Sequence, residues 1–226
     1  MIIIVCGMYR SGTTLLYNYI KDIANPAFCQ PLAHHNEKKL KKFIKIAESI
    51  QGTILLKCHI LDTGIVRQLE EICPVHIVYP VRNLKESISS YYKFSYNDYN
   101  VLTESYDLFR CTLNTLNSLH EKMAIVLYSE LINNAEQTLK TLLKKFNITF
   151  TDDQIIDTIN KWSLNNVKDY IAKLNNQDED TLFYHNHISS SLGKDIPERY
   201  LKIILDMLSS EIEAIKQNTK IDLLNI

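Results

Sequence analysis

Apolar residues along this chain follow two alternating rhythms. Short runs dominated by Ile, Val and Leu occur at residues 2–6, 53–57, 75–79 and 124–128, and runs of that length bounded by turn residues predict strands buried on both faces. Between and after them, apolar positions recur every three or four residues. That spacing predicts helices over residues 13–23, 37–49, 63–72, 84–94, 104–122, 135–146, 152–162 and 198–216. Strands separated by helices run parallel, because a helical crossover returns the chain to the same end of the sheet. The fold class is therefore α/β, a three-layer parallel sheet of about four to five strands flanked by helices. Residues 95–103, rich in Tyr and Asn, and 175–194, with Asp-Glu-Asp and a Ser run, are polar and aperiodic. They predict surface loops and not a linker. No internal repeat is present, and residues 1–226 are expected to form one domain.

Composition narrows the partners. A chain of 226 residues is long enough to bury about seven-tenths of its unfolded surface and to stand as an autonomous enzyme. Its 25 basic and 26 acidic residues leave a net charge of −1, so nothing in the total argues for nucleic acid, a membrane surface or a polyanion as partner. No apolar run approaches the ~20 residues of a membrane span, and the first strand is expected to begin at Ile2, which leaves no room for a charged leader before it. The five cysteines, Cys6, Cys29, Cys58, Cys73 and Cys111, show no Cys-x-x-Cys spacing. Reduced thiols in a cytoplasm are the expectation, with no zinc or other metal site. Oligomeric state is left open.

Residues 7–14 read Gly-Met-Tyr-Arg-Ser-Gly-Thr-Thr. This is the Gly-x4-Gly frame of a phosphate-binding P-loop without its lysine: Thr13 stands at the lysine position, and Arg10 supplies a cation three residues earlier. A strand running through such a turn into a helix aims backbone N–H groups and the positive helix end at one point, which suits an anion. Without the lysine, and with no Asp-terminated apolar strand to hold magnesium, γ-phosphoryl transfer is not indicated. In open parallel sheets ligands bind beyond the carboxyl ends of the strands. The other strand ends carry Lys57-Cys58-His59, Pro80-Val81-Arg82 and Tyr128-Ser129-Glu130, and these polar groups are expected to converge with the loop.

Taken in order, these motifs resemble the sulfotransferases that use 3′-phosphoadenosine 5′-phosphosulfate (PAPS), most closely the cytosolic type. The resemblance rests on residues 9–14, on Lys57-Cys58-His59 in place of the family's Lys-Thr-His, and on residues 82–92, which keep the Arg-x7-Ser spacing between Arg82 and Ser90 with Tyr91 and Tyr92 following. It extends to the apolar strand ending at residues 128–130 and, more weakly, to Ser163-Leu164-Asn165-Asn166-Val167-Lys168 as the adenine segment. It implies that Ser11, Gly12, Thr13 and Thr14 hold the 5′-phosphate, and that Arg10 stabilises charge on the bridging oxygen. Arg82 and Ser90 would take the 3′-phosphate, and Tyr128 completes the cofactor set. His59 would be the general base, with Lys57 beside the transferring sulfuryl group. The product would be 3′-phosphoadenosine 5′-phosphate (PAP), and the acceptor a hydroxyl of a small molecule or carbohydrate.

The resemblance has gaps. The family's late Arg-Lys-Gly clamp is absent; residues 185–194 occupy its place, and Ser189 and Lys194 are the candidates there. Other sulfotransferase types use a glutamate base about twenty residues beyond the loop, where this chain has Gln30, with Glu37 further along. His34 and His35 are candidates for a substrate rim, and Tyr91, Tyr92, Tyr96 and Tyr99 for an acceptor mouth. Two other readings stay open at this stage: a P-loop-type kinase or triphosphatase, and a non-catalytic nucleotide-binding protein.

Overall fold

The computed structural model describes residues 1–31, 37–94, 101–173 and 195–226. Strand β1 (Ile2–Cys6) forms its centre because nothing in it is polar and both its faces are covered; all five residues are buried. Ile2, Ile4 and Cys6 point into one core, Ile3 and Val5 into the other, as the period-two geometry of a strand requires. Each fully buried Ile or Leu contributes roughly 1.5–3 kcal/mol, so this parity fixes the register. β1 pairs in parallel with β3 (Ile54–Cys58) on one side and β4 (Val75–Val81) on the other. β2 (Phe28–Pro31) lies outside β3 and β5 (Met123–Leu127) outside β4, giving the order β2-β3-β1-β4-β5.

Helices cover both faces. Beside Ile3 and Val5 pack α1 (Thr13–Ala24), through Leu16, Tyr17 and Ile20, and three later helices: α7 (Ala135–Lys145), α8 (Asp152–Lys161) and α9 (Leu164–Ala172). The opposite core is built by α2 (Glu37–Ser49), α3 (Thr63–Glu70), α4 (Leu84–Phe94), α5 (Val101–Leu119), α10 (Glu198–Met207) and α11 (Ser209–Thr219). Local signals start several of them. Asp62 Oδ1 caps α3 by accepting from the Ile65 N–H at 2.9 Å, and Thr151 with Gln154 forms a reciprocal capping box on α8. Behind the loop, Asp22 on α1 accepts from both Lys161 Nζ and Trp162 Nε1 at 2.7 Å. Among the described residues no helix is long and apolar enough to cross a membrane.

The expected elements need four corrections. β2 has no counterpart in the sequence reading, because it is a four-residue, half-exposed edge strand ending in Pro31, which cannot donate to a ladder. Tyr128 does not close the fourth apolar strand; it opens a short helix, α6 (Tyr128–Asn133). The segment from Ser163 runs into α9. The single helix expected over residues 198–216 breaks at Leu208 into α10 and α11, two amphipathic helices whose apolar faces meet the same core and so share one periodicity.

Two glycines let the loop after β1 press against its neighbours. A Cβ on Gly7 would lie 2.9 Å from the Pro80 ring, and one on Gly12 would lie 2.8 Å from Tyr128 Cδ2. Gly12 also has φ +88°, a left-handed conformation that costs a residue with Cβ about 1–2 kcal/mol before any collision. Gly12→Ala is expected to lower the Tm by roughly 2–8 °C in thermal unfolding; an unchanged Tm would mean that the loop does not hold this conformation.

Candidate active site

Because β3, β1, β4 and β5 are neighbours, their carboxyl ends set four groups in a row: Lys57 to His59, the loop of residues 7–12, Arg82, and Tyr128. This is the edge at which parallel sheets bind ligands.

The loop is closed from within. Ser11 Oγ donates to the Met8 carbonyl at 2.8 Å, and Thr13 Oγ1 lies 3.4 Å from both that carbonyl and Ser11 Oγ. Both side chains are buried, so Ser11 and Thr13 spend their hydroxyls on the turn. What remains for a ligand is the N-terminus of α1, which has no side-chain cap and no acidic residue in its first turn; its leading N–H groups lack intrahelical acceptors. Thr14, in that first turn, is half-buried.

Two arginines converge above this point. Arg10, itself left-handed at φ 64°, donates from Nε to Ser90 Oγ on α4 at 3.1 Å. Arg82 donates from Nη1 to the Arg10 carbonyl at 3.2 Å and from Nε to Glu86 Oε2 at 3.0 Å, with its guanidinium 4.7 Å from the centre of the Tyr128 ring. Burial and then the charge of Arg82 push the Arg10 guanidinium down to about 10. An anion bound here would relieve that like-charge strain.

At the other end of the row, His59 is oriented by backbone. Its Nδ1 lies 2.8 Å from the Gly7 carbonyl; a carbonyl only accepts, so Nδ1 carries the proton and Nε2 keeps its lone pair. Lys57 Nζ stands 3.5 Å from Nε2, at the outer limit of a hydrogen bond. Burial pushes the Lys57 ammonium down to about 8, while Cys58 and Cys6 act to raise it. The imidazole is stacked on Tyr9, ring centres 4.0 Å apart and planes 17° apart. The site thus combines an anion cradle with an imidazole whose second nitrogen, Nε2, lies beside a cation.

Arg10, Ser11, Gly12, Thr13, Thr14, Lys57, His59, Arg82, Ser90 and Tyr128 all lie at this edge or on the elements that bound it. Ser189, Lys194, His34, His35, Tyr96 and Tyr99 lie outside the described residues, as does the side chain of Glu37. Glu130, expected to converge with the loop, is exposed and accepts from Asn134 instead. Gln30 sits half-buried on β2, and Lys168 is exposed on α9. Sequence reasoning gave no role to Tyr9, to the Gly7 carbonyl or to Glu86. Glu86 was legible as an i, i+4 partner of Arg82; Tyr9 and Gly7 meet His59 across 50 and 52 positions and leave no local signal. Among the described residues no three His, Cys, Asp or Glu side chains cluster as a metal site.

Comparison with known proteins adds an independent line. The family model described as the sulfotransferase domain matches residues 2–202. No curated protein matches the chain. Among solved structures, mouse sulfotransferase SULT7A1 complexed with PAP is 14% identical with a TM-score of 0.68, covering 97% of this chain and 86% of its own. Retinol dehydratase in complex with androsterone and inactive cofactor PAP is 11% identical, TM-score 0.57, covering 97% and 80%. A sulfotransferase domain from the curacin biosynthetic pathway is 14% identical, TM-score 0.51, covering 92% and 97%. At these identities the structures establish a shared fold.

Lys57 makes the site's electrostatics measurable. Its pKa falls from 10.5 in the unfolded chain to about 8, so the folded state holds this proton more weakly and Lys57 opposes folding below pH 8. Stability from this group rises as pH climbs from about 8 towards 10.5. Lys57→Met is expected to raise the Tm at pH 7 by roughly 2–4 °C for each kcal/mol of desolvation relieved. In calorimetry that advantage shrinks between pH 8 and 10; an advantage independent of pH would assign it to packing.

Proposed function

The chain belongs to the sulfotransferase family, and we propose that it moves a sulfuryl group from PAPS to a hydroxyl of a small-molecule or carbohydrate acceptor. The observation that carries this reading is the pairing, along one sheet edge, of an anion cradle built by Arg10, Arg82 and the N-terminus of α1 with the acceptor nitrogen of His59. Structural relatives that hold PAP support the donor, and the one that also holds androsterone supports a small-molecule acceptor. Five cysteines without Cys-x-x-Cys spacing suit a reducing cytoplasm.

The residues present fit such a donor. Gly7 and Gly12 keep the loop free of side chains where it meets its neighbours, and the uncapped N-terminus of α1 offers N–H groups to a 5′-phosphate. Arg82, with Ser90 and Arg10 beside it, offers planar, charge-assisted donors to a 3′-phosphate. When bound, PAPS supplies the sulfuryl group and the phosphate oxygen that leaves it. Arg10 stabilises charge growing on that oxygen as a preorganised donor. His59 takes the hydroxyl proton at Nε2 while the Gly7 carbonyl holds Nδ1–H, which keeps the accepting lone pair in one direction. The Lys57 ammonium, within reach of Nε2, would supply positive charge to the sulfuryl oxygens of a bound donor. Residues 1–226 act as one domain.

Two substitutions separate the roles. Arg82→Ala removes donors for the 3′-phosphate, so affinity for PAP is expected to fall about 10- to 100-fold, the equivalent of roughly 1.5–3 kcal/mol. Affinity for 5′-AMP, which has no 3′-phosphate, changes little; equal losses in calorimetric titration would refute the assignment. His59→Asn keeps a side chain that can donate to Gly7 but removes the base. Turnover is expected to drop roughly 10²–10⁴-fold with PAP affinity intact, and the acid limb of the wild-type rate profile to vanish. Glu37→Gln, the control drawn from the glutamate-base pattern, leaves turnover unchanged; loss of activity in that variant alone would place the base on α2.

A further inference from the structure

Tyr9 is held by three ring contacts at the site. One face lies flat on His59, while its edges meet Tyr91 on α4 at 5.5 Å and 66° and Phe109 on α5 at 6.5 Å and 64°. Tyr91 and Phe109 are themselves perpendicular at 5.9 Å and 89°. Edge-to-face contacts of this kind favour one ring orientation, so the plane that Tyr9 offers to the imidazole is set by two helices. The loop backbone closes the arrangement: the Gly7 carbonyl on Nδ1 fixes the imidazole within its plane, and Tyr9 fixes the plane itself.

We propose that Tyr9 is a positioning residue for His59, holding the imidazole plane and stabilising, through its π face, the imidazolium that forms when Nε2 takes a proton. The proposal rests on the reading of His59 as the base. An aromatic face carries negative electrostatic potential and attracts a cation within about 6 Å, so the stack stabilises the protonated ring more than the neutral one. Positive charge appears on His59 as the acceptor loses its proton, and the stabilisation therefore grows along the reaction. Among the described residues, the titratable groups facing this pair include Lys57 and Cys58 on β3, Cys6 on β1, Tyr91 on α4 and Cys111 on α5. Burial and then Tyr91 push the Tyr9 phenol up to about 12, so the ring stays neutral through the working range and acts through its face. Lys57 opposes the imidazolium and Tyr9 offsets it.

The test compares Tyr9→Phe, which keeps the ring, with Tyr9→Leu, which removes it. Tyr9→Phe is expected to match wild type within about twofold. In Tyr9→Leu, turnover falls by roughly 3- to 30-fold and the acid limb of kcat/KM moves to lower pH by about 0.4–1.5 units, with PAP affinity unchanged. NMR titration of the His59 ring in the free protein reads the same shift without catalysis, and Tyr9→Met replaces Tyr9→Leu if the latter does not fold. An unmoved His59 titration in the ring-less variant, or Tyr9→Phe behaving like Tyr9→Leu, overturns the proposal. If His59→Asn retains turnover, the base reading falls, and the NMR titration decides the stack by itself.

Discussion

Gly7 is the joint on which the site depends. Its carbonyl holds His59 at the end of β3, and its Cα lies where any side chain would strike Pro80 at the end of β4. Three adjacent strand ends meet at one residue because that residue has no Cβ. The strand leading into it is sealed on both faces by apolar residues of strict parity, so the joint has little freedom to move. Everything beyond it, from the left-handed turn at Arg10 and Gly12 to the start of α1, inherits that position.

The cost of the site is electrostatic. Arg10 and Lys57 both carry positive charge in surroundings that disfavour it, and Arg82 adds a like charge to the first. A chain selected only for stability would replace such groups with apolar ones. Their gathering at one sheet edge, over a helix N-terminus with no acidic residue in its first turn, suits the binding of an anion there. Local ties offset part of the burden: Glu86 neutralises one face of Arg82, and the Tyr128 ring lies under its guanidinium.

Much of this was legible in the chain itself. The alternation of β-branched runs with helical spacing specified the parallel sheet, and strand ends gave Lys57, His59 and Arg82 because topology brings them to one edge. The resemblance to sulfotransferases supplied roles that spacing alone could not. What escaped detection shares a cause. β2 is too short and too exposed to leave an apolar run, and the break at Leu208 leaves one continuous amphipathic phase. Tyr9 and the Gly7 carbonyl reach His59 across 50 and 52 positions. Long-range contacts set by a turn are invisible to local pattern.

The loop and α4 meet through consecutive residues on each side: Arg10 on Ser90, and Tyr9 on Tyr91. One pair borders the anion cradle and the other borders the imidazole, yet both are carried by the same helical turn and the same two peptide units. A small rotation of α4 would therefore displace both halves of the site together, as two arms of one lever. Substitutions in either pair are felt by its neighbour, so changes at Tyr9, Arg10, Ser90 and Tyr91 combine non-additively.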